Sequence, residues 1–277
     1  MKNKTVAFQG EYGAFSEQAA VNYFGKNSKF IPNENFRDVF EIVKKGKVDF
    51  GIIPIENSLF GSIIQNYDLL REYNLIIVGE IFLRVKMNLM SLPNVKLSEI
   101  RNVYSHPQAL GQTDKFLRTL KNIKIHPFYD TAGAAKMIFE EKKIDSAAVA
   151  STQAAEHYQL NILKRNIETD DENFTRFVII SKNKIPSVGK SKTSLIFATK
   201  HVTGSLQNCL VAFSNRKLNL LKIESRPYVG HPWQYLFFVD IENDRNNFKI
   251  DQAIKELKNN TTYLKNIGSY KIGKVIK

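Results

Sequence analysis

Asn173-Phe174-Thr175-Arg176-Phe177 runs straight into the apolar stretch Val178-Ile179-Ile180. In an extended strand, alternate side chains share a face. Thr175 and Phe177 then point one way and Arg176 the other. A hydroxyl beside an aromatic ring at the mouth of a strand suits a small, ring-shaped substrate whose leaving group needs a hydrogen bond. Four more segments follow strand-like runs with small or polar residues: 10–18 (Gly-Glu-Tyr-Gly-Ala-Phe-Ser-Glu-Gln), 54–62 (Pro-Ile-Glu-Asn-Ser-Leu-Phe-Gly-Ser), 105–112 (Ser-His-Pro-Gln-Ala-Leu-Gly-Gln) and 130–135 (Asp-Thr-Ala-Gly-Ala-Ala). In open α/β sheets, ligands sit beyond the carboxyl ends of strands, where helix N-termini point at them. Several such ends on one cleft would hold a ligand with two carboxylates. Each segment has a plainer reading too: Ser16, Ser105 and Asp130 suit helix caps, and Pro107 suits a helix start.

Other chemistries lose ground. The 10–13 turn is neither GxGxxG nor a Walker loop, and no GxSxG elbow occurs. His106, His126, His157, His201 and His231 lack metal-ligand spacing, and the lone Cys209 forms no internal disulfide and no zinc cluster. No cofactor and no metal is expected. The formal net charge of +13 invites a nucleic-acid partner, but the lysines are scattered, which reads as a solvated surface that draws in a small anion. No apolar run is long enough to span a membrane, and the basic start enters an apolar strand at once. No membrane partner and a cytoplasmic location are expected.

The elements that must carry these residues alternate. Strands are expected at 5–8, 50–53, 75–78, 102–104, 146–150 and 177–180, with helices such as 39–45 and 134–142 between them. Such alternation argues for an α/β fold with mostly parallel sheets. The polar stretch 184–192 reads as a linker. Beyond it, strands at 194–198, 221–225 and 235–241, helices at 204–213 and 251–257, and a last strand from Leu264 make a ferredoxin-like βαββαβ plan.

Taken together, the segments resemble the prephenate dehydratase family over nearly the whole chain. Gly13-Ala14-Phe15-Ser16-Glu17-Gln18-Ala19-Ala20 is similar to its first motif, Pro54-Ile55-Glu56-Asn57-Ser58 with Gly61 to the second, and Ser105-His106-Pro107-Gln108-Ala109-Leu110 with Gln112 to the third. Asp130-Thr131-Ala132 with Ala134-Ala135 resembles the fourth, and Thr175-Arg176-Phe177 the signature triplet. The resemblance implies a catalytic region of residues 1–183 with two α/β lobes, similar to type II periplasmic binding proteins. Lobe one would take about 1–78 and 160–183, and lobe two about 79–159. Residues 193–277 resemble an ACT domain, an amino-acid-sensing module. Gly204-Ser205-Leu206 resembles its helix motif, although Ser205 departs from the usual alanine. Asn219 to Pro227, with Glu224, Ser225 and Arg226, resembles its second motif.

The implied activity converts prephenate to phenylpyruvate, CO2 and water, with L-phenylalanine as allosteric effector and a homodimer or homotetramer as the assembly. In this reading Thr175 donates to the leaving oxygen and Phe177 packs on the ring. Asn57, Ser58, Ser105, Gln112 and Thr131 donate to carboxylates or ketone, and His106 orients neighbours or donates likewise. Glu56 is protonated or turned to protein donors, and Arg176 pairs with a carboxylate such as Asp170. Three alternatives stay open: an arogenate dehydratase, a non-enzymatic aromatic-ligand receptor, and an RNA-binding module of the same βαββαβ plan, which lacks the expected glycine-flanked motif near Tyr235.

Overall fold

The protein is described by a computed structural model covering residues 3–186, 189–243 and 248–277. Met1 and Lys2 of the basic start, and Ser187 and Val188 of the expected linker, lie outside the described residues. In chain order the elements are β1 (Thr5–Gln9), α1 (Phe15–Phe24), β2 (Lys29–Asn33), α2 (Phe36–Lys44), β3 (Phe50–Asn57), β4 (Gly61–Ser62), α3 (Ile64–Glu72) and β5 (Ile76–Arg84). Then come β6 (Asn88–Ser91), β7 (Asn102–Ser105), α4 (Pro107–Gln112), α5 (Asp114–Leu117), β8 (Lys124–Pro127), α6 (Thr131–Glu140), β9 (Ser146–Ala150), α7 (Thr152–His157), β10 (Asn161–Lys164) and β11 (Phe174–Ser181). The chain ends with β12 (Ser191–Thr199), α8 (Ser205–Ser214), β13 (Leu220–Pro227), β14 (Tyr235–Asn243), α9 (Phe248–Asn260), β15 (Thr261–Lys271) and β16 (Lys274–Ile276).

Two compact units emerge. One comprises residues 1–63, 81–177 and 275–277; the other comprises 64–80 and 178–274. The first unit is two-lobed. One lobe is built on a sheet in which β1 pairs in parallel with β2 and β3. The other is built on a sheet of order β10-β6-β9-β7-β8. The central strands are buried on both faces, so they read as unbroken apolar runs. Val6, Ala7 and Phe8 of β1 are fully buried, and every residue of β9 is buried. Two strands not expected from the pattern, β2 and β8, carry Pro32 and Pro127 and lie at sheet edges. A proline lacks the N–H that an interior ladder needs, and an edge tolerates its absence.

The chain leaves the first sheet after Arg84, enters the second at Asn88, and returns between Lys164 and Phe174. These crossings fall several residues beyond the positions expected near 79 and 160. They run side by side: the Val85 N–H donates to the Asn173 carbonyl at 2.8 Å and the Ile167 N–H to the Met87 carbonyl at 2.8 Å.

The second unit is the ferredoxin-like plan. Its antiparallel sheet has the order β13-β14-β12-β15. Helices α8 and α9 cover it through Cys209, Phe213, Ile250, Ala253 and Leu257, packed on Leu195, Phe197, Val239 and Ile241. Burial pushes the Cys209 thiol up to about 11, so it behaves as a small apolar group. Residues 64–80 belong to this unit, although they precede the sequence-based boundary at 183. Lys265 Nζ donates to the carbonyls of Leu70, Arg71 and Tyr73 at 3.0, 2.9 and 2.6 Å, capping the end of α3. Arg226 pairs with Asp68 at 3.2 Å. Lys192 and Glu80 form a buried ion pair at 2.9 Å, and Glu80 also accepts the Gly273 N–H. These partners lie more than a hundred residues apart in sequence, so local composition gives no sign of them.

Candidate active site

Within the first unit, a cavity of about 370 Å³ opens where strand ends of one lobe meet helix starts of the other. Its walls come from the ends of β1, β3 and β11, from the starts of α1, α2, α4 and α6, and from the crossing residues Val85 and Met87. The early N–H groups of a helix lack intrahelical partners, so each such start presents partial positive charge.

Thr175 and Phe177 both line the cavity. Thr175 is 9% exposed and Phe177 2%. Asn57, at the end of β3, organises this edge. Its Oδ1 accepts the N–H groups of Leu59 and Phe60 at 3.0 and 3.2 Å. That turn fixes the amide orientation and leaves Nδ2 as donor. Nδ2 reaches Asn173 Oδ1 at 2.8 Å, Thr175 Oγ1 at 3.0 Å and the Phe174 carbonyl at 3.2 Å. Because Thr175 Oγ1 accepts from Asn57, its own hydrogen remains available to a group in the cavity.

Gln112, Thr131 and His106 also line the cavity. His106 is the N-cap of α4: its Nδ1 accepts the Gln108 N–H at 3.3 Å, so in the neutral ring the proton resides on Nε2. Asp130 caps α6 by accepting the Gly133 N–H at 2.8 Å. Burial pushes its carboxyl upward, against the lowering effect of the Gly133 and Ala132 N–H groups. Tyr129 donates to Glu11 at 3.2 Å, and its phenol is pushed up to about 12, first by burial and then by Glu11.

Four of the expected residues do not reach the cavity. The Ser58 hydroxyl donates to the Glu172 carbonyl at 2.7 Å and accepts the Phe174 N–H at 2.9 Å, stitching β3 to the entry of β11. The Ser105 hydroxyl is fully buried and donates to the Val149 carbonyl at 2.6 Å. Arg176 points away from Thr175, as the strand period requires, and lies 3.9 Å from a carboxylate, that of Glu56. Asp170 accepts the Glu172 N–H at 2.8 Å. Nor do Ser16 and Ser105 cap helices: Ala14 and His106 hold those positions.

Gln9, Phe36, Val85, Met87 and Tyr129 line the cavity and lie outside the segments that the sequence marks. Gln9 ends β1 immediately before a turn, which is a readable signal. Phe36 follows the unexpected strand β2, and Val85 and Met87 lie in the crossing, so neither position was marked by a recognised junction.

In the second unit, Gly204 has φ +78° at the N-cap of α8, a conformation that favours glycine. Gly204, Ser205 and Leu206 line a surface cavity formed by residues 199–207. The Ser205 hydroxyl is spent on the Val202 carbonyl at 2.6 Å. Asn219 to Pro227 lie apart from it. Asn219 donates to Glu242 at 3.4 Å, Glu224 lies 3.7 Å from Lys222, and Ser225 and Pro227 are exposed. Strand β13, which carries Glu224, Ser225, Arg226 and Pro227, is separated from β12 by β14. Among the described residues, none of Asn219 to Pro227 lines the cavity that Gly204, Ser205 and Leu206 share.

A two-lobed α/β unit with a cavity at its strand ends, and a ferredoxin-like unit after it, is the class that fold and cavity define. The family model described as prephenate dehydratase matches residues 6–185. The chain belongs to the prephenate dehydratase family. It is 37% identical to a bifunctional chorismate mutase/prephenate dehydratase of Aquifex aeolicus, covering 97% of this chain and 74% of that one. It is 41% identical to arogenate dehydratase/prephenate dehydratase 2 of Arabidopsis thaliana, covering 96% and 72%. The solved prephenate dehydratase of Arthrobacter aurescens in complex with L-Phe superposes with a TM-score of 0.88 at 28% identity, covering 96% of this chain and 89% of that one. Among the described residues, no helix is long and apolar enough to cross a membrane.

Proposed function

We propose that this protein is a hydro-lyase that converts prephenate to phenylpyruvate, CO2 and water. The first unit is the catalytic region, and the βαββαβ part of the second unit, which begins with β12 at Ser191, is an ACT domain. The observation that carries the reading is the Asn57 Nδ2 to Thr175 Oγ1 bond at the wall of a cavity ringed by helix starts. It supports a hydroxyl held with its hydrogen toward the ligand.

Prephenate carries two carboxylates, a ketone and a ring hydroxyl opposite the carboxylate that is lost. The bond from ring carbon to carboxylate breaks, its electron pair moves through the ring, and the opposite carbon–oxygen bond breaks. The departing hydroxide takes a proton and leaves as water, and the ring becomes aromatic. Aromatisation supplies the driving force, so the protein needs to hold the dianion and ease the oxygen away. Thr175 donates a hydrogen bond to that oxygen, assistance worth roughly 10²–10⁴-fold. Phe177 packs on the ring and excludes water. Gln112, Thr131 and the Nε2–H of His106 serve the carboxylates and ketone as preoriented donors. Asn57 acts through Thr175. Ser58 and Ser105 hold backbone, and Glu56 with Arg176 braces the far face of β11.

L-phenylalanine is the proposed effector, supported by the L-Phe complex of the Arthrobacter aurescens relative. The separation of the Gly204 and Glu224 motifs supports an effector site completed by a second copy, hence a homodimer or homotetramer. Following phenylpyruvate production from prephenate by purified protein, with and without L-phenylalanine, tests both parts. No phenylpyruvate refutes the activity; turnover indifferent to L-phenylalanine refutes the regulation.

A further inference from the structure

For a site meant to hold a dianion, the cavity has an unusual charge makeup. None of its described lining residues is lysine or arginine, and one, Asp130, is a carboxylate. The Asp130 side chain takes up the start of α6, where the Gly133 N–H reaches Oδ1 at 2.8 Å. That helix end is therefore already answered by a protein carboxylate and is not free for a substrate carboxylate. Its other oxygen faces Gly10: a Cβ built there would stand 3.2 Å from Oδ2. A half-buried carboxylate that leans on neutral backbone N–H groups gains from a cation placed against it. For prephenate it sits beside two further negative charges. For the analogue with an ammonium in place of the ketone, it has a counter-ion.

We propose that Asp130 is the specificity-determining residue that reads the side-chain substituent of the substrate, binding the ammonium of L-arogenate and disfavouring the ketone of prephenate. The inference rests on the dehydratase reading above. The same bonds break in both substrates. L-arogenate gives L-phenylalanine, CO2 and water with no added reactant, because the ammonium is a bystander that changes binding and not chemistry.

Asp130→Asn isolates the charge, because asparagine caps helices as well as aspartate does. The measurement is kcat/KM on L-arogenate and on prephenate for wild type and variant, with circular dichroism to verify folding. Should the Asn variant not fold, Asp130→Ser, another good cap, is read in its place. Wild type should turn over both substrates. The variant should lower the arogenate-to-prephenate ratio roughly 10- to 100-fold, the range for a hydrogen bond to a charged group. A ratio unchanged within about twofold overturns the proposal, as does an equal loss on both substrates or a wild type active on prephenate alone. A wild type inactive on both refutes the dehydratase reading itself, and this inference with it.

Discussion

Replacing Thr175 by valine removes one hydroxyl and keeps the side-chain shape. The Asn57 amide loses its 3.0 Å acceptor but retains Asn173 Oδ1 at 2.8 Å and the Phe174 carbonyl at 3.2 Å. No buried donor is stranded, and valine suits a strand. The stability change should therefore stay within about 1 kcal/mol. The chemistry should suffer far more. If the hydroxyl strengthens its hydrogen bond as the oxygen departs, its loss lowers kcat by roughly 10²–10⁴-fold, or about 2.7–5.5 kcal/mol at 1.36 kcal/mol per decade. KM should barely move, because the contact matters in the transition state and not in the bound substrate. Asn57→Asp provides the complementary perturbation. It keeps the acceptor for Leu59 and Phe60 but loses the donor, so the carboxylate would draw the Thr175 hydrogen out of the cavity. The kcat loss should resemble that of Thr175→Val, and the double variant should be no worse than either single one. Steady-state phenylpyruvate formation together with thermal melts provides the readout. A Thr175→Val enzyme retaining kcat within about threefold, with the fold intact, would refute the role given to the hydroxyl.

Three more outcomes can be measured directly. Gly13 has φ +87°, and a Cβ there would lie 2.5 Å from the Ala154 Cα; Gly13→Ala should cost roughly 1–3 kcal/mol or more in denaturant unfolding, and a neutral effect would contradict the close approach. Lys192→Met removes the cation that faces the carboxylate of Glu80, which is 2% exposed; it should cost about 3–5 kcal/mol, most of it recovered by adding Glu80→Gln, and unchanged melts would show the pair to be hydrated. Burial raises the Asp130 carboxyl above its ordinary 3.8, so wild-type stability is fully present below that value and declines as pH rises through the raised one. Asp130→Asn escapes the decline: in thermal melts it should exceed wild type near pH 7, with the gap closing toward about pH 4, and a pH-independent gap would contradict the shift.

The parts of the fold legible in the chain are those set by local order. Strand β9 was expected at 146–150 and is found there, because five small or apolar residues in a row suit a strand buried on both faces. The βαββαβ order of the C-terminal unit was equally plain, since helix and strand periods differ. The cavity-lining positions Thr175, Phe177, Asn57, Gln112, Thr131 and His106 were legible because strand ends and helix starts leave marks within a few residues. Which hydroxyl lines the cavity was not legible. Ser58, Ser105 and Thr175 are alike as local signals, yet the first two are engaged by carbonyls 114 and 44 residues away, and the third is oriented by an amide 118 residues away. Packing between distant segments assigns those partners, and no period or spacing encodes it. For the same reason only three dimensions could reveal that residues 64–80 join the C-terminal unit, and that a carboxylate rather than a lysine or arginine lines the cavity.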